Sequence, residues 1–339
     1  MILDATPVRV GRTELFAPRV GLGTAVLGNF QQAISDADAI AVIDRALASG
    51  VRYIDTAPLY GHGLAEQRVG RAIAAAFDDR GPRAELVVST KVGRLLREDA
   101  PRDDTQYHDG IPFYRDVPAA GPVWDFSYDG VRRSVEESLE RTGLDRFDVL
   151  LMHDPDNHLA QAGTTAYHAL RDLRAEGSVT AIGAGMNRSG PLAELVSTCD
   201  LDVVLLAGRY TLLDQTAMAD LLPLCESRGV SVVIGGVFNS GILIDPAPGV
   251  SFNYVPADDA TLARARAIKE ICDKHDVPLA AAAIQFPLAH PRVCTVLMGP
   301  RTIGELETDR SLFDVEIPSQ LWADLRHEGL LDADVPTPE

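Results

Sequence analysis

Four side chains that can carry charge or move protons stand at or just after the ends of three predicted strands. Asp55 closes YID, Lys91 closes VVSTK and His153 closes VLLMH. Tyr60 follows Asp55 by five residues in DTAPLYG. If these strands are parallel neighbours, their carboxyl ends share one edge, and we expect the four side chains to meet there.

These residue types predict general acid–base catalysis. A lysine held charged by a carboxylate stabilises the phenolate of a nearby tyrosine and so lowers the pKa of the phenol. A phenol with an ordinary pKa of about 10 can then act as acid or base near neutral pH. Each residue alone has a structural interpretation, such as a buried histidine or a solvated lysine. Their joint occurrence at three strand ends favours catalysis.

Short apolar runs alternate with amphipathic stretches through most of the chain, a pattern typical of repeated βα units. Helical spacing runs through segments such as DADAIAVIDRALASG, YDGVRRSVEESLERTG and QTAMADLLPLCESRG. Eight strands are predicted, at 19–24, 51–55, 86–91, 148–153, 179–185, 202–207, 230–235 and 294–298. Eight units favour a closed α/β barrel of the (β/α)8, or TIM, type over an open sheet. Since no linker divides the chain, we predict one domain over residues 1–339.

Composition restricts the classes of function. The 339 residues are 46% hydrophobic, enough for a sizeable core, and the formal net charge of -18 repels nucleic acid and anionic membranes. No apolar run reaches the length of a membrane span and no secretory leader is recognised, so we expect a soluble, cytoplasmic protein. The spacing of the four cysteines predicts reduced, buried thiols.

Two connections are longer than the usual βα loop of about 2 to 6 residues. The first, 92–126, is rich in aromatic residues, and the second, 236–257, contains FNSGIL and SFNYVP. Both follow the carboxyl end of a predicted strand, the face on which barrel enzymes build their sites. We therefore expect functional loops over this face, with structural padding as the alternative.

The motif set as a whole resembles the aldo-keto reductase superfamily. The matching pieces are RVGLGT, YIDTAPLYGHGLAEQRVGRAI, VVSTKVGR, DFSYDGVRRSVEESLERTGLDRFDVLLMHDPD and VTAIGAGMN. The resemblance implies an NAD(P)-dependent barrel oxidoreductase whose catalytic tetrad is Asp55, Tyr60, Lys91 and His153. Within the superfamily the chain is most similar to the sugar-oxidising branch, L-fucose or D-threo-aldose 1-dehydrogenase, and also resembles pyridoxal 4-dehydrogenase.

The cofactor is expected on the barrel rim, because GLGTAVLG fails the G-x-G-x-x-G rule at Val26. Backbone donors of two turns suit the pyrophosphate. They are contributed by Gly236, Phe238, Ser240, Gly241 and Leu243 in the first turn, and by Gly299 and Arg301 in the second.

The resemblance also suggests contacts for the rest of the cofactor. It places Asn187 at the nicotinamide carboxamide and Asp309 at the adenine amine. Tyr210 or Phe238 is expected to supply the aromatic face that the family usually has at the position of Gly235. A carboxylate at Glu305 opposes a 2′-phosphate, so we expect NAD rather than NADP.

The substrate is expected to be a small sugar or a pyridoxal-like molecule that stacks on Tyr114 and Trp124 of the 92–126 loop. The alternative for Trp124 is that it only pins the loop to the barrel. The leading hypothesis is oxidation of a sugar hemiacetal at C1 to a lactone, with Tyr60 as the proton carrier. Pyridoxal 4-dehydrogenase, a general aldehyde or ketone reductase, and a redox-sensing binding module like potassium-channel β-subunits are the alternatives. Neither a metal site nor an oligomeric state is predicted.

Overall fold

The computed structural model describes residues 6–77, 83–100, 107–108 and 111–338. Within these ranges eight parallel strands form a closed barrel, and each lies where the sequence predicts one. Numbered β1 to β8 along the chain, they are Val20–Gly23, Tyr53–Asp55, Val87–Val92, Val149–His153, Ala181–Met186, Val203–Ala207, Ser231–Gly235 and Val293–Met298. Each strand pairs with the next along the chain, and β8 pairs with β1 to close the circle. The predicted (β/α)8 barrel is confirmed.

Helices surround the barrel. Numbered α1 to α11, they are Asp36–Ala48, Leu64–Phe77, Tyr128–Thr142, Leu159–Gln161, Tyr167–Ala175, Ser189–Thr198, Leu221–Arg228, Asp259–Lys274, Leu279–Gln285, Ile303–Leu312 and Ser319–His327. A π-helical segment, Ala162–Ala166, joins α4 to α5. Short 3₁₀ helices occur at Val26–Gly28, Arg83–Glu85, Thr216–Met218 and Phe286–Ala289. None of the helices in the described part of the chain combines the length and apolar character that crossing a bilayer requires.

The helix predicted in QTAMADLLPLCESRG is shorter than expected. Asp220 accepts a hydrogen bond from the N–H of Leu221, so α7 begins at Leu221, and the residues before it form only a 3₁₀ turn. An aspartate at this position caps a helix start because its carboxylate satisfies a free N–H.

An antiparallel hairpin, Val8–Arg9 with Phe16–Ala17, closes the amino end of the barrel. Its Val10 and Ala17 pack against side chains inside the barrel, among them Tyr53 and Val149. The Ser231 hydroxyl accepts a hydrogen bond from the Gly11 N–H at 2.7 Å and so ties the hairpin to the start of β7. The barrel interior is therefore filled and closed at this end.

The two long connections carry structure of their own. In 92–126, Arg94–Arg97 pairs with Gly121–Trp124, and Tyr107–His108 pairs with Ile111–Pro112. Residues 101–106 and 109–110 of this connection lie outside the described part of the chain. In 236–257, Ser251–Phe252 pairs with Val255–Pro256. Both connections start at the carboxyl ends of barrel strands, as predicted.

All four cysteines are buried and unpaired. Burial raises the pKa of Cys225 and Cys272 to about 12 and that of Cys294 to about 11. A thiol with so high a pKa is inert at neutral pH.

Candidate active site

The two-residue period of a strand turns Asp55, Lys91 and His153 into the barrel. Each lies two residues after a side chain of the barrel interior, namely Tyr53, Ser89 and Leu151 in turn, and Asp55 lies opposite Ser89 across the β2–β3 pair. Leu151 likewise lies opposite Lys91 across the β4–β3 pair. Three neighbouring strands thus deliver an acid, a base and an imidazole to the carboxyl end of the barrel.

Asp55 and Lys91 form a buried ion pair. The Lys91 Nζ lies 2.6 Å from Asp55 Oδ2 and 3.0 Å from the Thr56 carbonyl oxygen. The Ser89 hydroxyl donates to the other carboxylate oxygen of Asp55 at 2.7 Å. Both charged side chains are almost inaccessible to solvent, with exposures of 1% for Lys91 and 3% for Asp55. Burying a charged side chain is costly unless it is paired and hydrogen-bonded, and both conditions are met here.

A tight turn positions Tyr60 above this pair. Gly61 has φ 65°, and a Cβ there would lie 2.3 Å from the carbonyl oxygen of Gly28. Conversely, a Cβ at Gly28 would lie 2.6 Å from the Tyr60 carbonyl carbon. The loop after β1 therefore packs backbone to backbone against the turn, which only glycine allows at both points.

The four candidate catalytic side chains meet as predicted. Lys91 Nζ lies 4.6 Å from the centroid of the Tyr60 ring. The Tyr60 and His153 rings stand edge to face with their centroids 5.7 Å apart. A substrate oxygen placed between the phenol and the imidazole can contact both groups, which is the arrangement that acid–base catalysis at one oxygen requires.

The pKa directions assign a protonation state to the two rings. Burial, with smaller contributions from Arg94 and Lys91, holds the pKa of His153 well below its ordinary 6.5, so the imidazole is neutral at physiological pH. Burial and the Asp55 carboxylate raise the pKa of Tyr60 well above 10. This direction is opposite to the lowering expected from Lys91, because burial and then the Asp55 charge favour the neutral phenol. Tyr60 is a neutral phenol here and can donate a proton.

A cavity of about 590 Å³ lies above these residues at the carboxyl end of the barrel, within the usual range of about 300 to 1,000 Å³ for ligand sites. Of the predicted site residues, the cavity is lined by Asp55, Tyr60, Lys91, Tyr114, His153, Asn187, Gly236, Phe238, Ser240, Gly241, Gly299, Arg301, Glu305 and Asp309. One face of the barrel thus combines proton-transfer groups with room for ligands.

Comparison with known proteins places this arrangement in a family. A model of the aldo/keto reductase family matches residues 19–327, which include all four candidate catalytic residues. The chain belongs to the aldo/keto reductase family. It is an oxidoreductase, and enzymes of this family use nicotinamide cofactors.

Two relatives match this aldo/keto reductase along its length. It is 41% identical to D-threo-aldose 1-dehydrogenase of Pseudomonas sp, over 99% of this chain and 100% of the relative. It is 39% identical to pyridoxal 4-dehydrogenase of Microbacterium luteolum, over 98% of this chain and 100% of the relative. A solved holo-form aldo-keto reductase from Bacillus halodurans has the same fold, with a TM-score of 0.73 and 24% identity over 97% of both chains.

The cavity wall of the aldo/keto reductase fits a dinucleotide. After β7 the backbone is left-handed at Gly236, Asn239, Ser240 and Gly241, and a Cβ at Gly241 would project into open space. Opposite this turn, α10 begins after Thr302, which caps it, and Gly299 also faces open space. Free N–H groups at a helix start and in glycine turns are suited to hold a diphosphate, but those of Asn239 and Gly241 are bonded within their own turn, to the carbonyl oxygens of Gly236 and Phe238.

Three predicted residues lie away from the cavity. Leu243 is buried in the core and its N–H bonds the Phe238 carbonyl oxygen, so it has no group to offer a cofactor. Tyr210 is fully buried against Phe286, which leaves Phe238 as the aromatic residue of that pair at the cavity. Trp124 is 40% exposed and stacks on Phe126, outside the cavity lining. The expectation of direct substrate contact by Trp124 is corrected in favour of the alternative that it pins the loop.

A cluster of aromatic residues lines the cavity, and of its members the sequence predicts only Tyr114 as a site residue. The aromatic cluster consists of Phe30, Phe113, Tyr114 and Tyr254, from the connections after β1, β3 and β7. The Phe30 ring centroid lies 5.3 Å from Phe113, 5.6 Å from Tyr114 and 5.7 Å from Tyr254. The N–H of Tyr254 also bonds the Ser240 hydroxyl at 3.2 Å, which links the aromatic cluster to the candidate cofactor turn. No spacing rule connects aromatic residues so distant along the chain.

The carboxylate of Asp309 gives a pH-dependent prediction. Burial and the nearby Glu305 raise its pKa to about 7 from an ordinary 3.8. Between about pH 4 and 7 the folded chain therefore holds a proton that the unfolded chain has lost, and stability falls as pH rises through this window. Asp309→Asn should remove this loss, which we expect to reach roughly 2 kcal/mol after allowance for partial exposure. The increase in melting temperature of Asp309→Asn over wild type should be larger at pH 8 than at pH 4. A gain that is the same at both pH values would contradict it.

Proposed function

We propose that this aldo/keto reductase oxidises the hemiacetal carbon C1 of an aldose to a lactone, with NAD as the cofactor. The observation that carries the proposal is the meeting of Tyr60 and His153 on the floor of a cavity large enough for a small sugar. The substrate class is supported by 41% identity over the full length to a D-threo-aldose 1-dehydrogenase.

The proposed chemistry divides between the cofactor and the side chains. When bound, NAD supplies the acceptor for the hydride that leaves C1. Tyr60, as the phenolate, takes the hydroxyl proton and becomes a neutral phenol, and the neutral His153 donates a hydrogen bond that aligns the same oxygen. The product is a lactone with a C1 carbonyl, and the same residues serve the reverse direction with Tyr60 as acid.

The Asp55–Lys91 ion pair beneath Tyr60 holds the side chains of the site in place and does not itself transfer the proton. Asp55 fixes Lys91 at 2.6 Å, and Lys91 lies under the Tyr60 ring. A positively charged ligand bound in this cavity would lower the high pKa of Tyr60, because a nearby cation favours the phenolate. Proton removal by Tyr60 is therefore expected only in the loaded enzyme.

Pyridoxal oxidation is the second candidate, favoured by the aromatic cluster, whose rings could stack on a pyridine. It is also the activity of the relative at 39% identity. The deciding experiment measures NADH formation by the purified enzyme with a panel of aldoses and with pyridoxal. A higher kcat/KM for an aldose supports the proposal, and a higher kcat/KM for pyridoxal contradicts it.

Preference for NAD rests on two contacts at the start of α10. The Glu305 carboxylate accepts the N–H of Arg301 at 2.7 Å and so occupies a donor that a 2′-phosphate would need. The Arg301 guanidinium is turned to the Phe30 carbonyl oxygen at 3.0 Å. A second anion at this place would face the Glu305 charge, with the nearby cation already engaged.

We expect wild type to prefer NAD by kcat/KM and Glu305→Arg to improve the use of NADP by about tenfold or more, since a like charge becomes an opposite one. Kinetics with both cofactors measure this. The matched control is Glu316→Arg, which makes the same charge change at an exposed position outside the cavity lining. A wild-type preference for NADP would contradict the charge argument.

A further inference from the structure

Asp154 is a charged residue of the cavity that the proposed mechanism leaves unused. It follows His153 directly, lines the cavity and has φ 42°, a left-handed conformation uncommon for residues other than glycine. Its N–H bonds the Gly185 carbonyl oxygen at 2.9 Å, which holds the backbone in this conformation. The turn aims the side chain at the ligand space beside the catalytic imidazole.

The buried Arg94 side chain fixes the position of the Asp154 carboxylate. Asp154 Oδ2 lies 3.2 Å from Arg94 Nη2, and the Arg94 side chain is only 3% exposed. The ring of Trp124 covers the Arg94 guanidinium at 4.0 Å, and the two residues are paired across their hairpin. This packing restricts the arginine, and through it the carboxylate, to one position.

The same carboxylate oxygen lies 3.5 Å from His153 Nε2. A substrate oxygen bound by His153 therefore lies near Asp154 as well. Neighbouring hydroxyls of a sugar are about one hydrogen-bond length apart, so one can bind His153 while the next reaches the carboxylate. The contacts with Arg94 and His153 both fall on Oδ2, and 25% of the Asp154 side chain is exposed for a further contact.

Resting on the proposed function, we propose that Asp154 accepts a hydrogen bond from the substrate hydroxyl on the carbon next to the reacting one. Asp154 is then a specificity-determining residue that selects vicinal polyols such as aldoses. Pyridoxal has no hydroxyl on the ring carbon next to its reacting carbon. Its phenolic oxygen lies one carbon further away and is acidic and readily ionised. Pyridoxal therefore offers Asp154 no hydroxyl at the position that an aldose fills, and its phenolate is repelled by the carboxylate, so Asp154 disfavours pyridoxal.

The test compares an aldose that the enzyme oxidises with its 2-deoxy analogue, in wild type and in Asp154→Asn. A hydrogen bond to a charged group predicts that wild type favours the full aldose in kcat/KM by about 10- to 100-fold. In Asp154→Asn, which keeps the shape of the side chain, this ratio should fall several-fold. Turnover of the 2-deoxy sugar should fall less than turnover of the full aldose, since it lacks the hydroxyl in question.

The matched control is Asp156→Asn, which removes the same charge two residues on, from a side chain that contacts the exposed Arg188 and does not line the cavity. It should keep the wild-type ratio. Melting temperature and KM for NAD, measured on each variant, identify any loss of folding.

Should Asp154→Asn not fold, Asp154→Glu replaces it, which keeps the charge but displaces it and should also reduce the ratio. An unchanged ratio in a folded Asp154 variant overturns the inference alone, whereas a wild type that oxidises no aldose overturns the proposed function and the inference with it.

Discussion

Tyr60→Phe is expected to reduce turnover by about 10²- to 10⁴-fold, because the substitution removes the proton carrier and leaves the ring in place. KM for NAD should change little, since the candidate cofactor contacts lie in the turns around Gly241 and Gly299. Steady-state kinetics with a turned-over aldose measure both quantities.

The matched control for this prediction is Tyr210→Phe, which removes the hydroxyl of a fully buried tyrosine packed against Phe286, outside the cavity lining. It should retain nearly wild-type turnover. A Tyr60→Phe enzyme that keeps more than about a tenth of the wild-type rate would show that another group carries the proton.

Lys91→Met should abolish turnover and also destabilise the fold. It leaves the buried Asp55 carboxylate without its partner, and breaking a buried pair costs about 3 to 5 kcal/mol. Denaturant unfolding measures the free energy and NADH formation measures the activity.

The double variant Lys91→Met with Asp55→Asn separates the two effects. Because it removes the uncompensated charge, we expect it to recover part of the lost stability while activity stays absent. A single Lys91→Met variant as stable as wild type would contradict the burial argument, and a single variant that keeps its activity would contradict the role of the pair.

Much of the fold and the centre of the candidate site could be predicted because both depend on short-range pattern. Strand ends are visible as apolar runs that stop at Asp55, Lys91 and His153, and parallel strands bring such ends together. Tyr60 follows from the same logic, since a turn of five residues cannot carry it far. The division of the chain into domains and the roles of these residues remain predictions.

What the sequence left undetermined depends on where long connections fold. The aromatic character of Trp124 suggests a ligand contact, but its ring covers Arg94 instead of facing the ligand space. Asp154 lies in HDPD, a run that suggests ordinary turn chemistry, and its significance depends on the approach of Arg94 from a hairpin 60 residues earlier in the chain. Tyr254 reaches the cavity from the connection after β7. Such contacts have no local signal, because distant segments are brought together by the fold alone.

The hairpin that closes the amino end of the barrel has a kinetic consequence. Because Val10 and Ala17 pack into the interior, the barrel is not an open channel. Ligands must therefore enter and leave at its carboxyl face, beside the aromatic cluster. Whichever ligand lies deeper must then bind first and leave last. Exchange at this enzyme is expected to be compulsorily ordered, with one product unable to depart until the other has gone, and product-inhibition patterns would display that order.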